Sequence, residues 1–389
     1  MTGCAPLRVA VVYDCLYPYT TGGGERVYTE LATRLRERGE SVEYLTRIQW
    51  EGRPPAEPFT VIPIWRGDIA DASGDRRPGA ALGFAWAVFR ALLARRGRYD
   101  IVVVSALPPL NVFAARAALL GTASWLVGDW LEVWSARKWR EYSGPVVGRI
   151  AHVLQSVGLR STHEVTVNSE FTLARAQPRL RQGAGVVLGL VDLAGTTTAL
   201  RGEGPIPEAP FVLFAGRHIA DKQLDALPAA MAVVRREFPG VRLLVAGSGP
   251  ETETLRAAAV QHGEKVELLG RVPAAELDVL LASAAVLVNP SRREGFGLIV
   301  AEASAHGTPS VVVAGEDNAS ADLVQDGVNG FVAASTSPED LGRALVRAIA
   351  GGAELRASTS AWFSDARIRR GLNASIDELL RRYADFRTR

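Results

Sequence analysis

The chain has 389 residues, 48% of them hydrophobic and 22% charged, with a formal net charge of +2. That length exceeds what one core usually spans and points to two domains, and the composition is that of a folded globular protein rather than a disordered one. Near-neutral charge excludes the basic excess of a nucleic-acid-binding protein; with only Cys4 and Cys15 and no C-x-x-C pair, neither a disulfide framework nor a zinc site is expected.

A strand-like run at residues 7–12 begins too early for a signal peptide, and no stretch of about 18 uncharged apolar residues exists, so a cytoplasmic location is expected. The nearest approach, residues 80–94, carries Phe84, Trp86 and Phe89 on what reads as one aromatic face, is interrupted by Arg90 and is followed by Arg95-Arg96. It reads first as a helix packed on its sheet and second as a weak peripheral contact with a membrane surface.

In chain order, residues 8–14 form a buried-strand pattern that runs into a loop with Tyr17 and then Gly22-Gly23-Gly24-Glu25. Val27, Leu31, Ala32 and Leu35 follow at helical spacing, Gly39 closes that helix, and residues 42–46 are the next strand. This is a βαβ unit and predicts a parallel sheet with helices on both faces. Glycines at a helix start let the backbone approach a ligand, and the N–H groups there favour anions; a tight structural turn is the plainer reading of the same residues. Neither the dinucleotide fingerprint G-x-G-x-x-G nor the P-loop pattern fits them.

Residues 51–79 read as loop around a strand at 59–64, and residues 100–105 as a buried strand ending at Pro108-Pro109. A further strand at 124–127 delivers Gly128-Asp129-Trp130-Leu131-Glu132-Val133-Trp134 to its carboxyl end. Asp129, Trp130 and Glu132, with Tyr17, are the acceptor-side candidates, since two acids and two tryptophans suit a polar ring-shaped ligand. The alternative makes Trp130 or Trp134 a core residue of a following helix. A helix at 153–161 and a strand at 165–169, with Ser169 capping the next helix, lead towards the end of the first half.

Residues 196–210, rich in Thr and Gly and holding Pro205, Pro207 and Pro210, read as a domain linker. Strands at 211–215, 241–246, 266–269, 285–288 and 310–313 then repeat the βαβ rhythm of a second doubly wound sheet. Leu372, Ile376, Leu379, Leu380 and Tyr383 stripe a charged helix over 368–386. The expected organisation is α/β, with domains at 1–195 and 196–367, a C-terminal helix at 368–389, and a site where the two sheets face across a cleft.

Four loops at strand ends in the second half carry the chemistry. Arg217 and Lys222 could grip a diphosphate, the first as a fork and the second as a point charge, and neutralising a leaving diphosphate is the electrostatic contribution such a reaction needs most; otherwise they are a solvated pair. Gly247-Ser248-Gly249-Pro250 opens a helix with a proline at its first position. The loop at Val272 offers a backbone contact to a base. In NPSRREGFGLIVAE, Glu294 and Glu302 stand eight positions apart with only glycine and apolar residues between them. Glu302, flanked by Ala301 and Ala303, reads as a buried acid, and a buried acid needs partners; ribose hydroxyls would serve, with Glu294 taking a sugar hydroxyl.

These residues resemble the E-x7-E motif of retaining glycosyltransferases of family 4, whose GT-B fold pairs two Rossmann-like domains. Glu294-Gly295-Phe296-Gly297-Leu298 to Glu302 is similar to the family's E-G-F-G-L-x-x-x-E. Gly22-Gly23-Gly24-Glu25 looks like its glycine loop, Gly216-Arg217 with Lys222 like its G-R-x-x-x-x-K grip, Gly247-Ser248-Gly249-Pro250 like its G-x-G-P turn, and Asp326-Gly327-Val328-Asn329-Gly330 like its D-G-x-N-G entry to a strand. The resemblance covers nearly the whole chain. It implies a hexosyl transfer from a nucleoside-diphosphate sugar to a hydroxyl of a glycan, lipid or small-molecule acceptor, with retained configuration and with no metal or other cofactor. Glu302 would hold the ribose, Glu294 the sugar, Arg217 and Lys222 the diphosphate, and Gly23, Gly24, Gly247, Ser248, Val272, Gly295, Phe296, Gly297 and Leu298 would complete the donor site. The C-terminal helix would cross back onto the first domain.

Two departures stand out. Leu131 occupies the place of a histidine in the family's D-W-H-E-V-W, and leucine cannot donate the imidazole's hydrogen bond. Gln223 follows Lys222 where the family has glycine. A non-catalytic nucleotide-sugar-binding subunit, a GT-B epimerase, a phosphorylase and a dehydrogenase are the competing readings, the last disfavoured by the missing dinucleotide fingerprint.

Overall fold

The structure, a computed structural model, describes residues 5–20, 22–69, 78–180, 185–194 and 210–388. The chain divides into two compact units, Met1–Gly189 with Leu372–Arg389, and Leu190–Gly371.

The first unit carries strands β1 (Arg8–Val12), β2 (Ser41–Arg47), β3 (Thr60–Trp65), β4 (Ile101–Ser105), β5 (Trp125–Trp130), β6 (Glu164–Val167) and β7 (Val186–Val187) in one seven-stranded sheet. Their order is β3-β2-β1-β4-β5-β6-β7 and the pairings are parallel. Every residue of β4 is buried, as a parallel strand covered on both faces requires. Helices α1 (Gly23–Glu37), α2 (Pro78–Ala94), α3 (Leu110–Ala118), α4 (Ala136–Ser143), α5 (Pro145–Arg160) and α6 (Glu170–Ala176) alternate with these strands. The α1 face predicted from spacing, with Val27, Leu31, Ala32 and Leu35, is buried, and Ser169 caps α6 by accepting from the Thr172 backbone N–H.

Three local expectations change. Strand β5 runs beyond residue 127, because Asp129 and Trp130 pair with Thr166 and Val167 of β6. Asp129 is 0% exposed and Trp130 1%. The Asp129 carboxylate accepts from the Tyr28 hydroxyl and, at 2.6 Å, from Thr166 Oγ1. Asp129 and Trp130 therefore belong to the core and not to an acceptor surface, and Trp130 lies on a strand rather than on a following helix. The helix expected at 153–161 starts at Pro145, with α4 as an additional helix ahead of it. On α2, Phe84 is buried in the core cluster while Trp86 is exposed and stacks on Phe89, so the three aromatics do not share one face.

The second unit holds β8 (Phe211–Ala215), β9 (Arg242–Ala246), β10 (Val266–Gly270), β11 (Val286–Asn289), β13 (Ser310–Val313) and β15 (Gly330–Ala333) in a parallel sheet ordered β10-β9-β8-β11-β13-β15. A separate two-stranded ladder pairs β12 (Arg293–Glu294) with β14 (Asp317–Asn318). Helices α7 (Ala226–Glu237), α8 (Thr252–Gln261), α9 (Ala274–Ser283), α10 (Leu298–Ala305), α11 (Pro338–Ala350) and α12 (Gly352–Arg369) complete it. In each unit the strand order reverses once, between β1 and β4 and between β8 and β11, and ligands of such sheets collect outside the carboxyl ends at that reversal.

The unit boundary falls between Gly189 and Leu190, ahead of residue 195. The 3₁₀ turn Val191–Leu193 is tied to the second unit by the Val191 N–H bond to the Arg370 carbonyl, 3.2 Å. The proline-rich stretch read as a linker lies, but for Pro210, outside the described residues. The C-terminal sequence is two helices rather than one, with a break after Arg369 and a second boundary between Gly371 and Leu372. The last helix, α13 (Leu372–Arg387), joins the first unit, burying Leu372, Ile376, Leu379 and Tyr383. Ser375 Oγ accepts from the Gly189 N–H at 2.7 Å, and Arg382 pairs with Glu164 at 3.1 Å.

Burial pushes the Asp129 carboxyl up to about 6 from 3.8, against the lowering effect of its bonds from Thr166 and Tyr28. A raised acid holds its proton in the folded state while the unfolded chain releases it, so this group loses stability between pH ~4 and ~6 and contributes a constant penalty above. Calorimetry of the wild type and Asp129→Asn should show the melting-temperature difference moving in the variant's favour as pH rises through that window, then levelling. A gap independent of pH would contradict the shift.

Candidate functional site

The reversal of the second sheet brings together the loops that leave β8 and β11. From Ala215 the chain passes Gly216, Arg217 and His218 into the 3₁₀ turn Ala220–Lys222. From Asn289 it passes Ser291 and β12 into Gly297, the residue before α10. Lys222 Nζ and Glu294 Oε1 form an ion pair between these loops, with side-chain exposures of 17% and 16%.

The carboxylate is positioned by a polar shell. Asn289 Nδ2 donates to Glu294 Oε1 at 3.3 Å. Ser291 Oγ stands 2.6 Å from Asn289 Oδ1 and 3.2 Å from Glu294 Oε1, and its single proton suits the shorter contact. Asn318 on β14 donates to the carbonyls of Ser291 and Val313 at 2.9 and 2.8 Å, while its Oδ1 accepts from Ser320. Asp221 bridges the two loops through Arg292 at 2.8 Å and Arg293 at 3.2 Å. The contacts to Glu294 fall on Oε1, and none among the described residues ends on its Oε2, which leaves one oxygen to accept from a ligand hydroxyl.

Glycine is obligatory at two turns. Gly297 has φ of +93°, and a Cβ there would stand 2.5 Å from Ser320 Cβ. Gly247, φ +125°, brings the β9 loop so close to the β8 loop that a Cβ would lie 1.8 Å from the Gly216 carbonyl oxygen. Leu298 then opens α10, so the helix's first N–H groups and positive dipole end come directly after the loop that carries Glu294. Ser248 is exposed and its carbonyl accepts the His218 N–H at 3.1 Å. Val272 is half-buried beyond β10, and Gly270 accepts the Gly247 N–H at 2.7 Å. Gly295 is half-buried, and Phe296 is buried beneath the loop.

Other predicted residues fare differently. The Arg217 side chain is exposed and engages no hydrogen-bonding or ionic partner among the described residues. Glu302 is half-exposed between buried Ala301 and Ala303, so the expectation of a buried acid does not hold: the helix turns those alanines inward and leaves the carboxylate at the margin. In the first unit Gly23 and Gly24 open α1, Tyr17 is exposed, and Glu132 accepts from Trp134 Nε1 at 2.5 Å. Leu131 Cδ1 lies 3.1 Å from where a Cβ on Gly24 would stand, so the leucine caps the glycine-opened helix with an apolar contact.

Sequence reasoning passed over His218, which is 1% exposed. Its Nδ1 lies 2.7 Å from Thr252 Oγ1, which itself donates to the Gly249 carbonyl at 2.8 Å, so the imidazole is the donor to Thr252. Burial lowers its pKa, which keeps it neutral. A lone histidine in a glycine-rich loop belongs to no periodic pattern, so nothing local marked it. Asn289, Ser291 and Asn318 were equally silent as site residues, because their role depends on β12 pairing with β14.

Comparison with known proteins places residues 209–350 in a model described as glycosyl transferases group 1, and residues 22–188 in a glycosyl transferase 4-like domain. A D-inositol 3-phosphate glycosyltransferase of Segniliparus rotundus is 30% identical over 97% of this chain and 88% of that protein. A GDP-mannose-dependent alpha-(1-6)-phosphatidylinositol monomannoside mannosyltransferase of Mycobacterium tuberculosis is 29% identical, spanning 69% of this chain and 74% of its own. Among solved structures, sucrose-phosphate synthase from Thermosynechococcus elongatus superposes with a TM-score of 0.77 at 18% identity, covering 98% of this chain and 99% of that one. An Anabaena protein in complex with UDP-glucose gives 0.70 at 17% identity, covering 97% and 100%.

Gln223 adopts φ +47° and ψ +47°, the left-handed region, and is the one non-glycine residue with positive φ among those described. This conformation costs an L-residue roughly 1–2 kcal/mol. Gln223→Gly should therefore raise the stability of the second unit by up to about 1 kcal/mol after the entropy of a more flexible unfolded chain. Gln223→Val, β-branched, should lower it by about 1–2 kcal/mol. Calorimetric unfolding of the three proteins measures both signs.

Proposed function

This chain belongs to the group 1, family 4-type glycosyltransferases with the GT-B fold, and we propose that it moves a hexose from a nucleoside-diphosphate sugar to an acceptor hydroxyl with retention of anomeric configuration and without a metal. The observation that carries this reading is the Lys222–Glu294 pair at the reversal of the second sheet, between a glycine-built turn and the start of α10. Lys222, with exposed Arg217 beside it in the same loop, supplies the positive charge that a departing diphosphate needs, a task other enzymes give to a metal ion. Glu294 presents its second oxygen to a hydroxyl of the transferred sugar. Glu302, at the margin of α10, takes the ribose hydroxyls.

In this reading no side chain acts as nucleophile. The leaving phosphate takes the acceptor proton on the face from which it departs, the C1–O bond to phosphate breaks and the C1–O bond to the acceptor forms on that same face, which retains the configuration. Relatives named for inositol phosphate and phosphatidylinositol monomannoside support a sugar-bearing or lipid-linked hydroxyl as acceptor and GDP- or UDP-linked hexose as donor. Exposed Leu82 and Trp86 on α2 support weak peripheral contact with a membrane surface, on the cytoplasmic side where nucleotide sugars are held.

Glu294→Gln should lower kcat about 10²–10³-fold, the usual loss when one preorganised electrostatic contact is removed, while leaving nucleoside diphosphate affinity nearly unchanged. Lys222→Met and Arg217→Met should instead weaken diphosphate binding by about tenfold or more, as loss of a charged partner does. NMR of the product should show the donor's anomeric configuration, and EDTA should leave the rate intact. An inverted product, or wild-type turnover in Glu294→Gln, would overturn the assignment.

A further inference from the structure

Helix α5 is built the wrong way round for a helix on a soluble surface. Its buried side is Gly148, Gln155, Gly158 and Leu159. Its outward side is aliphatic: Val146 is 68% exposed, Ile150 56% and Val153 58%, with Val147 and Val157 exposed beside them. At 100° per residue, Val146, Ile150, Val153 and Val157 fall within one stripe about 60° wide. Gln155 explains the inversion, since it accepts from Trp134 N and Trp139 Nε1 at 2.9 and 3.0 Å and donates to the Trp134 carbonyl at 2.8 Å, anchoring α5 to the preceding segment by its polar side. Four exposed apolar residues in line are more than the scattered surface hydrophobics of an ordinary domain.

Charge says what covers the stripe. The helix contains no Asp or Glu, and Arg149 and Arg160, both exposed, border the stripe on one side. The neighbouring α4 adds Arg137, Lys138 and Arg140 against Glu141, which is engaged with Arg137 at 3.6 Å. A second copy packed two-fold on this stripe would set arginine against arginine. A surface of anionic headgroups over acyl chains satisfies both halves of the pattern at once.

We propose that α5 docks flat on an anionic lipid bilayer, with its valine and isoleucine stripe in the headgroup–acyl boundary and Arg149 and Arg160 on lipid phosphates. The proposal rests on the surface of the first unit and is independent of the donor-site assignment. From Val146 to Val157 the stripe is about 17 Å long, enough for a lying helix and too short to span a bilayer. Such an interface adds apolar burial to electrostatic attraction, so binding should require both vesicle charge and the aliphatic side chains.

The test is co-sedimentation of the full chain with phosphatidylcholine vesicles, with and without phosphatidylglycerol. The wild type should sediment with the anionic vesicles and be released by salt. Val146→Ser/Ile150→Ser/Val153→Ser should lower the partition coefficient about tenfold or more, as loss of apolar burial implies, and Arg149→Glu/Arg160→Glu should abolish the preference for anionic lipid. Val260→Ser, at an exposed apolar residue on α8, should bind as the wild type does. Unchanged circular dichroism and an unchanged melting temperature establish that each variant is folded, and a donor-site failure would show in the thermal shift with UDP or GDP rather than in sedimentation. Wild-type vesicle binding by the triple serine variant overturns the proposal. So does self-association of the wild type that the triple variant abolishes, which would make the stripe a contact between copies.

Discussion

An ammonium and a carboxylate paired between the loops at the carboxyl ends of β8 and β11 are the contact that ties these two loops together. These strands are neighbours only because the chain reverses its order of winding there, so the loops diverge to opposite sides and leave their ends exposed. An ion pair with both side chains mostly buried is costly unless its other lone pairs are met. Here Asn289, itself held by Ser291, donates to one oxygen, the β12–β14 ladder fixes the loop, and Asp221 with two arginines holds the loops in register. The site is thus preformed, which is what a reaction dominated by electrostatic stabilisation requires.

The first unit uses the corresponding geometry differently. On β5, one strand away from that unit's reversal, the Asp129 carboxylate is turned inward and bonded to Tyr28 and Thr166, linking β5, α1 and β6. That carboxylate supports the fold rather than a ligand. Tyr28, anchored by it, stacks on Tyr13, and these rings lie beneath the opening of α1 near Leu131. With leucine rather than imidazole beside Gly24, that edge is closed by an apolar contact.

Much of this was legible in the residues. Strand runs of valine and leucine, the Ser169 cap of α6, and the eight-residue interval between Glu294 and Glu302 each reflect a local rule, because period, cap and turn act over a few positions. The same locality explains the misses. Nothing in Gly-Asp-Trp distinguishes a loop acid from a strand acid until β6 supplies Thr166 opposite it. The aliphatic side of α5 looks like a core face, and only the bonds of Gln155 reveal that the helix is rotated the other way.

The sequence by itself determined the class of the protein: two α/β units, and a group 1 glycosyltransferase pattern spread over both, since spacing of glycine, charge and apolar residues is written along the chain. Tertiary structure alone decided which acids are buried in the core and which stand at the strand-end loops, where the helix stripes face, and that Gln223 must adopt a backbone suited to glycine. Those outcomes depend on which strand lies beside which and on what each side chain meets across that gap. Such distances arise only when residues far apart in sequence are folded together.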